Sequence, residues 1–345
     1  MLADTLQRIG PLDARAMAAM QARLDALTKP PGSLGRLEAL AVQLAGISGR
    51  VPPVCDERAV LVFAADHGVV AEGVSAYPAE VTRQMVLNFL AGGAAINALA
   101  RQAGAKLIVV DAGVVGDLPP HANLVSRKIA RGTQNFVHAP AMTRDEALRA
   151  VELGIGCFEP CQAVALGEMG IGNSTAAAAI VAAATGCSAA EAVGPGTGID
   201  AAGRERKISA IQRALALHQP DAGDGLALLS AVGGFEIGAL AGAMLAAAAA
   251  RVPAVIDGFI CTAAALVAAR LCPAVREYLI AAHVSSEPGH PLALADLGLR
   301  PLLQLDMRLG EGTGAVLALH LLDAACRIAG EMATFDEAHV SRRQP

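Results

Sequence analysis

The chain has 345 residues, 54% of them hydrophobic and 17% charged, with a formal net charge of −5. That length carries one large core, or a main domain with a smaller companion, and the apolar content favours a compact fold over a disordered one. Lys and Arg are scattered, which argues against nucleic acid as the main partner, because neutralising its phosphates needs a positive surface. A small anion held by a few backbone N–H groups and one Lys stays compatible with the charge.

Seven cysteines, at 55, 157, 161, 187, 261, 272 and 326, form no C-x-x-C pair and are odd in number. Reduced, packed thiols of a cytoplasmic protein fit this pattern. Cys157 and Cys161 stand i,i+4 on an expected helix, but no further His or Cys lies at ligand spacing, so no metal site is expected. The N-terminus MLADTLQRIGPLDARAM has neither a signal core nor transit-peptide character. The apolar stretch at 237–250 stops at Arg251, short of the roughly 20 residues that span a bilayer. It reads, like 169–190, as a buried helix of a soluble protein.

In chain order, the first fifty residues look helical, broken at Lys29-Pro30-Pro31-Gly32, with a second helix capped by Ser33 and running to about Ile47. After Val51-Pro52-Pro53 short apolar strands alternate with Ala-rich helices. The strands are expected at 58–65 (RAVLVFAA), 106–110 (KLIVV), 163–166 (AVAL), 254–256 (AVI), 278–281 (YLIA) and 302–305 (LLQL). Near-continuous apolar strands separated by helices predict a mostly parallel sheet covered on both faces. A last helix over about 313–332 should join the N-terminal helices. The expected division is a small helical domain from 1–50 and 313–345, and a large α/β domain over 51–312.

Four strands run into a carboxylate next to glycine: Asp66 in FAADHG, Asp111 in VVDAG, Glu168 in ALGEMG and Asp257 in VIDG. In open parallel sheets the ligand crevice lies beyond the carboxyl ends of the strands. Each carboxylate could equally cap the following helix. The Asp66-His67 pair reads as ordering its loop through hydrogen bonds, since no metal-binding spacing surrounds it. GEMGIGNST (167–175) and GPGTGID (194–200) are glycine-dense turns that open onto helices, where converging N–H groups suit a phosphate. Neither matches a P-loop or a dinucleotide fingerprint, so a phosphate monoester fits better than a pyrophosphate. In DMRLGEGTG, Glu311 stands between glycines ahead of a long apolar helix; it is either that helix's capping group or a carboxylate projecting into the crevice.

Taken in order, TKPPGSLGRLE (28–38), the long block at 63–101 beginning FAADHGVVAEGVSAYP, GEMGIGNSTAAAA (167–179), GPGTGID, GGFEIGALAGAMLAAA (233–248), VIDGFICTAAAL (255–266), SSEPGHPLAL (285–294) and RLGEGTGA (308–315) resemble the nicotinate-nucleotide–dimethylbenzimidazole phosphoribosyltransferase family, which builds the lower ligand of cobalamin. The resemblance spans about residues 28–330. It implies a Rossmann-like sheet with a small helical domain, a homodimer, and no cofactor or metal. It also implies transfer of phosphoribose from nicotinate mononucleotide to 5,6-dimethylbenzimidazole with inversion at C1′. Carried over motif by motif, the general base falls on Glu311 and a second carboxylate near the ribose on Glu168. Lys207 would orient Glu168 or a substrate anion. Ser75, Gln84 and Met169 would line the base pocket, and Gly170, Gly172, Asn173, Ser174, Ser285 and Ser286 would contact the ribose phosphate.

Overall fold

The apolar runs behind Pro53 become strands of one sheet in a computed structural model that describes residues 1–196 and 198–341. Thr197 of the GPGTGID turn and residues 342–345 of the C-terminal segment lie outside the described residues. β1 (Arg58–Ala65), β2 (Lys106–Gly113), β3 (Leu124–Ser126), β4 (Ala163–Met169), β5 (Ala254–Ile256) and β6 (Leu279–Ala281) line up as β3-β2-β1-β4-β5-β6. All five pairings are parallel. The order reverses between β1 and β4, which opens a crevice beyond their carboxyl ends, as in Rossmann-like α/β sheets.

Helices α1 (Leu2–Gln7), α2 (Ala14–Ala26) and α3 (Arg36–Ser48) precede the sheet. α4 (Glu80–Ala91) and α5 (Ala95–Gln102) join β1 to β2, and α6 (Arg144–Cys157) leads into β4. Between β4 and β5 run α7 (Asn173–Thr185), α8 (Ala189–Ala192), α9 (Ala201–His218), α10 (Gly225–Val232) and α11 (Phe235–Ala249). α12 (Phe259–Leu271) connects β5 to β6, and α13 (Gly289–Leu297) and α14 (Thr313–Glu331) follow.

Three local expectations change. The run at 302–305 makes only a bridge from Leu303 to His283: Leu302 and Leu303 donate to the carbonyls of Ala281 and Ala282. The chain then leaves the sheet with Gln304, Leu305 and Asp306 exposed. α3 begins at Arg36 rather than behind Ser33, because Gly32 and Gly35 take left-handed conformations (φ 75° and 54°) that keep the chain turning. α6 ends at Cys157, so Cys161 lies beyond it and the two thiols do not share a helix face. The edge strand β3 has the pattern LVS, too short and too exposed to announce itself.

Side-chain alternation along the strands divides the core in two. Leu61, Phe63 and Ala65 of β1, with Val164 and Leu166 of β4, pack under α6, α7, α11 and α12. Val60, Val62 and Ala64, with Ala165 and Val255, face α2, α3, α5 and α14. Thus helices from both ends of the chain meet on one sheet face. α14 is long and apolar enough to cross a membrane by composition, and here that apolar face lies on the sheet.

With two Tyr, seven Phe and no Trp, this core closes by bringing backbones together. α6 and α11 show how: a Cβ at Gly154 would overlap the Ala239 carbonyl, and one at Gly242 would overlap that of Val151. Interiors are packed too densely to absorb such an atom. Gly154→Ala should therefore cost about 1–3 kcal/mol by overpacking. A thermal melt several degrees below the parent is expected; an unchanged melt would mean the helices can separate freely.

Candidate active site

A cleft of about 800 Å³, open solvent included, lies over the carboxyl ends of β4, β5 and β6. Its walls include Ser75, Glu168, Met169, Gly170, Gly172, Asn173, Ser174, Asp257, His283, Ser285, Glu287, Arg308 and Gly310.

Glu168, the penultimate residue of β4, is 6% exposed and accepts a hydrogen bond from Asn173 Nδ2 at the start of α7. Burial pushes its carboxyl up to about 8, and the charges of Glu236 and Asp257 push the same way; the Asn173 amide opposes them. Beside it the chain turns through Gly170, where a Cβ would lie 2.5 Å from the Ala65 carbonyl oxygen, and Gly172 (φ 96°), which caps α7. The first turn of α7 thus opens into the cleft, a ready site for an anion.

Lys207 reaches that turn from α9. Its ammonium, on a residue 1% exposed, donates to Ser174 Oγ at 2.8 Å. Burial lowers Lys207 to about 8, while Glu287 pulls it back up. Glu287 is itself buried and accepts from Gly196 N at 2.9 Å, tying the 194–200 turn to the cleft. Ser285 lies in the wall, held by its N–H donating to His290 Nδ1 at 2.9 Å. His290 is pushed down to about 3 by burial and then by His283, so it serves as a neutral acceptor.

Glu311 has φ 63° between Gly310 (φ 86°) and Gly312 (φ 88°). A non-glycine residue there is strained, by an amount of order 1–3 kcal/mol. It is 5% exposed and stands next to the cleft wall at Gly310, itself packed against Glu168 Oε1. Its Oε2 accepts from Ile96 N, in the first turn of α5, at 3.3 Å. Burial raises its carboxyl above the usual range and the Asp257 charge adds to this, against the hydrogen bond from Ile96.

The chain matches the model of a phosphoribosyltransferase family over residues 9–340. It is 60% identical to the nicotinate-nucleotide–dimethylbenzimidazole phosphoribosyltransferase of Roseiflexus sp. (strain RS-1), covering 99% of this chain and 98% of that one. The protein of the same name from Chloroflexus aggregans is 59% identical over 100% and 99%. The crystal structure of the Thermus thermophilus protein of that name superposes with a TM-score of 0.91 at 52% identity, covering 96% of this chain and 100% of that one. The chain belongs to the nicotinate-nucleotide–dimethylbenzimidazole phosphoribosyltransferase family.

Within this phosphoribosyltransferase the fold gathers most of the residues that the motifs single out. Ser75, Glu168, Met169, Gly170, Gly172, Asn173, Ser174 and Ser285 share the cleft wall, and Lys207 touches it through Ser174. Gln84 sits exposed on α4, and Ser286 is exposed beyond the wall, its N–H donating to the Met307 carbonyl. Glu311 does not cap α14, the helix that follows it. Asp257 does, accepting from Gly312 N and Ala315 N at 3.1 Å each, because the left-handed turn directs Glu311 to α5 instead. His67 does not pair with Asp66: its Nε2 meets Glu236 Oε1 at 2.6 Å, while Asp66 accepts from Val115 N at 2.6 Å. Asp111 is likewise structural, accepting from Val114 N and pairing with Lys128.

Four groups with a place at the site were assigned no role from the motifs: Glu236, His283, Glu287 and Arg308. Glu236, Glu287 and Arg308 stand inside the blocks GGFEIGALAGAMLAAA, SSEPGHPLAL and RLGEGTGA, whereas His283 lies outside them all. No cluster of three or more His, Cys, Asp or Glu suited to a metal occurs among the described residues.

The Glu168 carboxyl, at about 4.5 in an unfolded chain and about 8 in the fold, takes up a proton on folding. Its contribution to stability is complete at low pH and is lost as pH rises through about 8. The parent's melting temperature should therefore fall more steeply between about pH 5 and pH 8 than that of Glu168→Gln. Parallel curves would show that Glu168 titrates as an ordinary carboxylate.

Proposed function

We propose that this enzyme moves phosphoribose from nicotinate mononucleotide to 5,6-dimethylbenzimidazole, yielding α-ribazole 5′-phosphate and nicotinate, with Glu311 as general base. The observation that supports the reading is that Gly310, the neighbour of the buried Glu311, packs against the Glu168 carboxyl at the edge of a cleft that the Lys207 ammonium reaches through Ser174 and onto which the N-terminus of α7 opens. The relatives' name states the two substrates for those proteins.

The chemistry asks little else of the protein. The C1′–N bond breaks with its electron pair going to the pyridinium nitrogen, so nicotinate leaves without needing a general acid. The unprotonated ring nitrogen of the benzimidazole forms the new bond to C1′. The N–H proton on its other nitrogen passes to Glu311, whose raised affinity for protons suits a base working near neutral pH. Attack on the face opposite to the leaving ring turns the β-nucleotide into the α-anomer.

In this reading Glu168 supplies the negative charge that a developing C1′ cation needs. A bound pyridinium opposes the burial that keeps this carboxyl protonated, and so favours its ionised form. The 5′-phosphate rests on the first turn of α7 with Gly170, Gly172, Asn173 and Ser174, and Lys207 supplies the cation. Ser285 completes the ribose-phosphate contacts, and Ser75 and Met169 border the aromatic base; Gln84 and Ser286, which lie off the cleft wall, take no part in this reading. The reading makes the enzyme a cytoplasmic homodimer that needs no cofactor or metal, since no pyrophosphate leaves.

Glu311→Gln should lower turnover about 10²–10⁴-fold while dimethylbenzimidazole binds within a few-fold of the parent. Turnover close to the parent's would remove Glu311 from this role. Lys207→Met should raise KM for nicotinate mononucleotide more than it lowers kcat, and the parent's affinity for that substrate should decline above about pH 8, as Lys207 loses its proton. Incubation with nicotinate mononucleotide and a panel of bases tests the reaction itself. Nicotinate release with some other base but none with dimethylbenzimidazole would defeat the assignment.

A further inference from the structure

We infer that Asp257 is the positioning residue for Glu311: its carboxylate clamps the first turn of α14 to the end of β5 and so fixes the left-handed turn that presents Glu311 beside Glu168. This rests on the reading of Glu311 as the base.

Three consecutive residues, Gly310, Glu311 and Gly312, have positive φ. Gly310 and Gly312 carry no side chain, Glu311 reaches away to Ile96 N, and the Thr313 hydroxyl holds only the Gly310 carbonyl; α14 has no side-chain cap of its own because its N-cap is Gly312. Asp257 supplies what is missing, Oδ2 accepting from Gly312 N and Oδ1 from Ala315 N. The residue is 1% exposed, and a buried carboxylate holds its place only where donors such as these surround it.

Asp257 is itself tied to the sheet. Ile256, just before it, pairs with Leu166, two residues ahead of Glu168. The clamp therefore refers Glu311 to the same two strands that set Glu168. Two glycines make the approach close enough. A Cβ at Gly167 would overlap the Glu311 carbonyl, and one at Gly314 would overlap the His283 ring and come within 2.8 Å of Asp257 Oδ1.

The clamp is also a charge. The groups facing this corner are Glu168 from β4, Glu311 ahead of α14, Glu236 from α11, Cys261 from α12 and His283 behind β6. His283 Nε2 stands 3.4 Å from Asp257 Oδ1, and that carboxylate holds the imidazole above its usual range against the effect of burial. Asp257 in turn helps both Glu311 and Glu168 hold their protons.

Asp257→Asn keeps the shape, removes the charge and turns one acceptor into a donor facing an N–H. Its kcat should fall at least about tenfold with KM for nicotinate mononucleotide within about threefold of the parent, the scale at which a misplaced base is felt without loss of binding. The acid limb of its kcat profile should move to lower pH, because the charge that holds the proton on Glu311 is gone. A merely structural defect would lower the active fraction and leave the limb in place. Parent-like kcat, or an unmoved limb, overturns the inference. Gly314→Ala, which forces the helix turn off Asp257 but keeps its charge, covers the case in which Asp257→Asn does not fold. It should lose kcat without the acid shift, and parent-like kcat in this variant also overturns the inference. Glu311→Gln measured alongside separates the two readings. If it turns over like the parent, the base assignment falls. If it is inactive while both other variants match the parent, only the role of Asp257 falls.

Discussion

Backbone passing directly over backbone is the constraint on which the site depends. The loop at 310–312 lies on Gly167 of β4 with no room for a Cβ between them, and this contact brings Glu311 next to the strand that carries Glu168. The same device recurs where Gly170 passes under Ala65 and where α6 crosses α11 at Gly154 and Gly242. A chain with 36 glycines and few aromatic residues fills its interior this way, and its active-site loops inherit the habit. The cost is that these positions admit no side chain, so the turns at the cleft are as sterically determined as the core beneath them.

The second feature is a surplus of buried negative charge. Glu168, Glu236, Asp257 and Glu311 are each 6% exposed or less, with His67 against Glu236 and His283 against Asp257. In a dry pocket such charges raise one another's hold on protons. Glu168 meets the N-terminus of α7 through Asn173 and the Lys207 ammonium meets it through Ser174, so groups of both signs reach one turn. Differential response to charge that develops during reaction is what preorganised groups of this kind supply.

Much of this was open to reading from the chain itself. Near-continuous apolar runs located five strands, because a strand buried on both faces leaves that pattern wherever it occurs. LVS at 124–126 left none, and LLQL at 302–305 left a false one, since pairing there ends after two residues. The motif order placed Glu168, Lys207 and Glu311 in one family pattern. Local pattern alone could not say whether Glu311 or Asp257 caps α14. That depended on the left-handed turn that sends Glu311 to α5, and on Asp257 at the end of β5 reaching the first turn of α14.

The sequence by itself determined the α/β class, the glycine-rich turns and the family, because these are written in local periodicity and in contiguous motifs. Only the tertiary structure decided that Asp257 rather than Glu311 caps α14, that His67 answers to Glu236 rather than Asp66, and that Glu287 and His283 face the cleft. Those partners are separated by 55 residues in one case and 169 in another. No local rule links residues so far apart. Parallel strands bring distant chain segments to a common edge, and the atoms that meet there are set by register and by backbone conformation rather than by neighbours in the chain.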